Sequence, residues 1–178
     1  MLTPEIKATI DVVCGPPTDL RKLGEHLGVV EVEWKDIDVD GMVIPKTRGY
    51  KIILNSNRTR SRFSWAHELG HVIIQTGSLD GPQFRGHLAG HKDTERMCDR
   101  LAAEILMPEE LFRQQMDKIG FALTSVPTLA RTFDTSVEST AIRFKDFLPF
   151  PAVLSKWKSA SEQLTHGWSR ANEQCKPY

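Results

Sequence analysis

Arg62-Phe63-Ser64-Trp65-Ala66-His67-Glu68-Leu69-Gly70-His71 decides how the rest of this chain is read. The apolar residues from Arg62 to Gln75 fall at helical spacing, and His67 to His71 spells H-E-x-x-H inside that predicted helix. Residues four apart share a helix face, so both imidazoles can reach one metal ion while Glu68 sits beside them. Zinc is the usual occupant of such a pair, and the glutamate is then placed to take a proton from water. The spacing points to a metallopeptidase. Short motifs also arise by chance in ordinary helices, so the reading needs a third ligand from elsewhere in the chain.

Glu95, with Asp99 one turn later, is the best candidate. A second long helix is predicted to open at Asp93 or Thr94 and run through Leu106, burying Met97, Leu101, Ile105 and Leu106. Four-residue spacing puts both carboxylates on one face. Glu95 would coordinate directly, and Asp99 would accept the outer N–H of a ligand histidine, fixing its orientation. The competing reading pairs them with Arg96 or Arg100 as surface charges, a weak stabilisation. Glu104 is expected at the surface. The order HExxH then ExxxD is similar to that of thermolysin-like gluzincins. The metzincin extension is absent, because Ile74 stands where its glycine would be and Gly77 where its last histidine would be. His87 and His91 are therefore expected in a loop. One of them, or Tyr50, could stabilise an oxyanion, and the sequence does not choose.

Outside these segments the chain is ordinary. Its 178 residues suffice for one domain with a sizeable core or one domain and a small appendage. Acidic and basic residues balance at 23 each, so net charge points to neither nucleic acid nor an acidic membrane, although Arg58, Arg60 and Arg62 crowd before the motif. No apolar run is long enough to span a bilayer, and the N-terminus lacks a signal-peptide pattern. Cys14, Cys98 and Cys175 form neither a disulfide framework nor a C-x-x-C zinc site, which suits a reducing cytoplasm. Cys98 reads as a small core residue beside the ligand face.

The remaining pattern predicts an α+β fold. Helices are expected over Pro4–Val13 and over Asp19–Leu27, the latter capped by Thr18 and ended by Gly28. Strands follow at Val29–Trp34, Met42–Ile44 and Tyr50–Leu54, with a turn at Asp38–Gly41. Thr76 to Lys92 reads as a long loop. Further helices are expected from Pro108 to about Ile119, and over Val126–Phe133 and Val137–Phe147, the last two broken at Asp134-Thr135-Ser136. Ala152–Trp157 and Leu164–Ser169 could pair as strands. A small, mostly antiparallel sheet is thus expected to pack on a mainly helical domain with the HExxH helix at its core. That domain would span residues 1–148, including the helix pair 126–147, with 149–178 a C-terminal tail or hairpin packed on it.

Three stretches resemble the ImmA/IrrE family of zinc metallopeptidases: Ile53-Leu54-Asn55, Arg62 to His71, and Glu95-x-x-x-Asp99-x-Leu101-Ala102-Ala103-Glu104-Ile105-Leu106-Met107-Pro108. Leu129-Ala130-x-x-Phe133-x-x-Ser136-x-x-Ser139-x-x-x-Arg143-Phe144 is similar to that family's C-terminal helices. Asp99 stands where the family more often has Asn, and Leu101 where Phe is common. The resemblance implies one catalytic zinc ion held by His67, His71 and Glu95, with Glu68 activating water. It also implies a cytoplasmic endopeptidase that cleaves a co-encoded Xre-type helix-turn-helix repressor and so relieves repression. The turn at Phe133–Val137 itself resembles a helix-turn-helix. However, Arg143 and Lys145 face Glu138 and Asp146 in number, so direct nucleic-acid binding is not expected. The alternative is a non-enzymatic zinc-containing regulator or antitoxin-like protein that sequesters a partner. Its metal would serve fold stability alone, and Glu68 would be superfluous.

Overall fold

The computed structural model describes residues 16–57, 61–77, 91–160 and 163–175. The helix expected at Pro4–Val13, together with Cys14, Arg58, Arg60 and His87, lies outside them. Among the described residues the fold is α+β, helices alternating with two small sheets. It divides into two compact units, Met1–Pro108 and Glu109–Tyr178.

The first unit opens with helix α1 (Leu20–His26). Its N-cap is Asp19 rather than Thr18: the Asp19 carboxylate accepts from the backbone N–H of Arg21 and Lys22, each at 3.1 Å. Capping by a side-chain oxygen satisfies donors that the first turn leaves free. Thr18 is instead buried, and its hydroxyl donates to the carbonyl of Ile105 at 2.7 Å. Strands β1 (Val29–Lys35), β2 (Gly41–Lys46) and β3 (Gly49–Asn55) form a mixed sheet of order β1-β3-β2. β1 runs parallel to β3, and β2 antiparallel to it. Parallel pairing requires the chain to cross over, and β2 makes that crossing by pairing on the far edge of β3.

β3 is the central strand, and Ile52 to Asn55 are all buried. Apolar and charged residues alternate along β1, with Val30, Val32 and Trp34 marking the strand in the sequence, but that alternation does not describe a buried face. Val30 and Trp34 are exposed, and it is Val29 that enters the core. Helix α2 (Ser61–Gln75) packs across β2 and β3 and presents Ala66, Leu69, Val72 and Ile73, all fully buried. Helix α3 (His91–Leu106) lies against α2 and starts two residues before the expected position, taking His91 and Lys92 out of the loop. On α3, Leu101, Ile105, Leu106 and the core cysteine Cys98 are buried as expected, whereas Met97 is only half-buried.

That close helix pair rests on Gly70. A Cβ built there would lie 3.2 Å from the Cα of Cys98 and 3.3 Å from its carbonyl oxygen, closer than ordinary contact, so any larger residue would press the two backbones apart. Gly70 is the second x of H-E-x-x-H. The motif's spacing sets the histidines on one face, and its glycine brings the next helix within ligand reach.

The second unit comprises α4 (Glu109–Ile119), a 3-10 turn at Leu123–Ser125, α5 (Val126–Phe133), α6 (Val137–Asp146) and an antiparallel hairpin of β4 (Val153–Ala160) and β5 (Gln163–Ala171). Its core gathers Phe112, Met116, Leu129 and Phe133, with the rings of Phe112 and Phe133 5.2 Å apart. Asp134 closes α5 in the left-handed conformation, φ 51°, which Asp tolerates better than most residues. α6 packs on the hairpin. Buried Asn172 ties the two together, donating to the carbonyls of Lys145 (3.3 Å) and Phe150 (2.8 Å) and accepting from Ala152 N–H at 3.1 Å.

Candidate metal centre

α2 and α3 face each other with His67, His71 and Glu95 at their contact. The carboxylate of Glu95 bridges the two histidines, Oε2 3.1 Å from Nε2 of His67 and Oε1 3.5 Å from Nε2 of His71. A tetrahedral zinc with ligand bonds of 2.0–2.1 Å needs donors about 3.3 Å apart, and each histidine stands at about that distance from a Glu95 oxygen. Asp99, one turn beyond Glu95, meets the other side of the His67 ring, Oδ1 3.0 Å from Nδ1. A ring that gives Nδ1–H to a carboxylate is left with a free lone pair on Nε2, the nitrogen that faces Glu95.

Glu68 is buried, only 6% exposed. Burial pushes its carboxyl up from the usual range to about 7; the charge of His67 works against that rise, and the charges of Glu95 and Asp40 add to it. A cation beside the histidines would lower the value again. A carboxylate balanced near neutrality in a half-dry site can both take and return a proton.

Cys98 is the functional candidate that sequence reasoning passed over. Its sulfur and one nitrogen from each of His67 and His71 all lie within 4.8 Å of one another, a grouping that could also hold a metal. Without a metal, burial pushes the thiol up to about 12, helped by the charge of Glu95, so it stays protonated. Its place between Glu95 and Asp99, on the face that packs against Gly70, was legible. What the sequence did not carry was how tightly the glycine draws it in.

Of the remaining site candidates, His87 lies outside the described residues, and Tyr50 is not gathered here. Tyr50 pairs with Pro45, whereas the metal end of β3 is marked by Leu54, paired with Gly41. Four residues of strand separate these positions by about 13 Å. His91 opens α3. Among the described residues no helix is long and apolar enough to cross a membrane.

Comparison with known proteins places these features in a family. The model of a peptidase family described as the IrrE N-terminal-like domain matches residues 21–145. The radiation response metalloprotease IrrE of Deinococcus radiodurans is 25% identical over 133 residues, covering 73% of this chain and 39% of that protein. A Streptomyces fradiae protein named dTDP-3-amino-3,6-dideoxy-alpha-D-glucopyranose N,N-dimethyltransferase is 28% identical over 104 residues, covering 58% of this chain and 37% of its own. The chain thus spans less than two fifths of the length of either relative. A solved Mycobacterium tuberculosis transcriptional regulator shares the fold with a TM-score of 0.59 at 13% identity, over 94% of this chain and 53% of that one.

Proposed function

The chain belongs to the IrrE N-terminal-like family of peptidases, and from that premise we propose that it is a cytoplasmic zinc endopeptidase whose substrate is a co-encoded Xre-type helix-turn-helix repressor. The observation that supports this reading is the approach of the Glu95 carboxylate to His67 and His71, at 3.1 and 3.5 Å, with buried Glu68 next to His67 on the same helix. His67, His71 and Glu95 would hold the ion, which when bound acidifies water and polarises the scissile carbonyl. Glu68 takes the water's proton and returns it to the departing amine. Asp99 keeps the His67 ring oriented. Cleavage of a repressor would relieve repression without the enzyme touching DNA.

The test is the intact mass of that repressor after incubation with the zinc-loaded protein, beside the Glu68→Gln variant. Discrete fragments with the unaltered protein alone are expected. Fragments with both would remove Glu68 from the mechanism. A stable complex without fragments from either would transfer the assignment to a regulator that sequesters its partner.

A further inference from the structure

Gly41 begins β2, directly beside Glu68. A Cβ built on Gly41 would lie 2.8 Å from Cγ of Glu68, 2.8 Å from its Oε1 and 3.0 Å from its Cδ, and these are the three nearest atoms. Nothing in the backbone calls for glycine at this position. Among the described residues the glycines with positive φ are Gly28, Gly49, Gly77 and Gly120, and Gly41 is not one of them. Another residue would fit the strand, and a β-branched one would suit it better. What a side chain would meet first is the Glu68 side chain.

The approach is held from the other side by Asn55. This residue is buried, 4% exposed, and ends β3. Its side-chain amide donates to the carbonyls of Ile37 and Val39, the latter at 3.0 Å, and its backbone N–H donates to the carbonyl of Asp40 at 3.1 Å. Its side-chain oxygen accepts from Asn57 N–H at 2.8 Å. One residue therefore fixes three carbonyls of the segment that leads into Gly41.

From this we propose that Gly41 is a positioning residue: its bare Cα, held in place by Asn55, forms the wall against which the Glu68 side chain is set. The proposal rests on Glu68 being the proton carrier. Its physical content is a division of costs. A methyl group at residue 41 meets a flexible carboxylate that can swing aside, so the fold tolerates it. The carboxylate, however, must shift by about 1 Å to reach ordinary contact distance, and a displacement of that size can cost on the order of 100-fold in rate.

The experiment has two arms. In the zinc-loaded protein acting on the repressor, Gly41→Ala should lower kcat by about 100-fold, with KM and zinc content unchanged. In a Glu68→Gln background the same change should leave repressor affinity as it was. A rise in KM or a loss of affinity would mean that residue 41 acts by docking substrate, and would overturn the proposal. So would an undiminished kcat. The second arm needs no substrate. In the metal-free protein, Gly41→Val should lower Tm by several degrees more with Glu68 present than in a Glu68→Ala background, where the space is vacant. Equal shifts in both backgrounds would show that valine meets something other than Glu68, and would overturn the proposal. Activity surviving in Glu68→Gln defeats the reading of Glu68 as proton carrier, whatever the Tm arm shows about the contact.

Discussion

Asp99 Oδ1 lies 3.0 Å from Nδ1 of His67, on the far side of the ring from the Nε2 that faces Glu95. The imidazole is thereby held between two carboxylates of one helix, one at each ring nitrogen. Asp99→Ala should weaken zinc binding by about 10–100-fold, as read by competition with a chelator. Asp99→Asn keeps an acceptor oxygen and should lose far less. Equal losses in the two variants would mean that the charge of Asp99 matters, not its hydrogen bond.

Glu68 makes the metal-free protein sensitive to pH in an unusual direction. Its carboxyl is raised from 4.5 to about 7 in the folded state. Between those values the folded protein holds a proton that the unfolded chain has released, so stability falls as pH rises. The loss is roughly 3 kcal/mol across that window if Glu68 acts alone. Thermal melts at pH 4.5, 6 and 7.5 on metal-free protein should show a downward slope that Glu68→Gln reduces. An identical slope in the variant would assign the effect to other groups.

The choice of third ligand is open to direct measurement. If Glu95 completes the set, Cys98→Ser should still bind one zinc per chain, while Glu95→Ala should bind it far more weakly. Cobalt substituted into the unaltered protein should show no near-ultraviolet thiolate charge-transfer band. Such a band, lost in Cys98→Ser, would make the sulfur a ligand.

Gly70→Val tests the helix contact. With a Cβ only 3.2 Å from the Cα of Cys98 and further atoms beyond it, α2 and α3 must separate. Overpacking of this kind costs about 1–3 kcal/mol, and here it also draws Glu95 away from the histidines. Denaturant unfolding and zinc titration should therefore both register the change. A variant that loses stability while binding zinc normally would show that the ligands adjust independently of the helix packing.

Much of this arrangement was legible because it repeats on a short period. H-E-x-x-H and Glu95-x-x-x-Asp99 place their groups by helix geometry alone, so spacing in sequence translated into a shared face. The α2 boundary is likewise close to expectation, Ser61–Gln75 against Arg62–Gln75. What escaped depends on contacts between distant segments. Gly41 read as a turn glycine because nothing local reveals that Glu68 occupies the space of its missing side chain. Asn55 was visible only as part of a familiar triplet, its clamp on Ile37, Val39 and Asp40 being made across 15 to 18 positions. Thr18 looked like a helix cap until its hydroxyl found Ile105, 87 residues away. The Val30-Val32-Trp34 alternation misled for the opposite reason. It is a local signal, and the sheet turns a different residue of that strand, Val29, into the core.

The division of the chain at Pro108 bears on how it is made. Gly41, Asn55, His67, His71, Glu95 and Asp99 all belong to the first unit. On a translating ribosome, which delivers the N-terminal part first, every group of the candidate centre has been synthesised before Glu109 is added. The second unit is closed in another order. Asn172 joins α6 to its hairpin, so that fastening waits until the chain has been made well beyond α6. A nascent chain thus has every group of the candidate centre in hand while its second unit is still unmade.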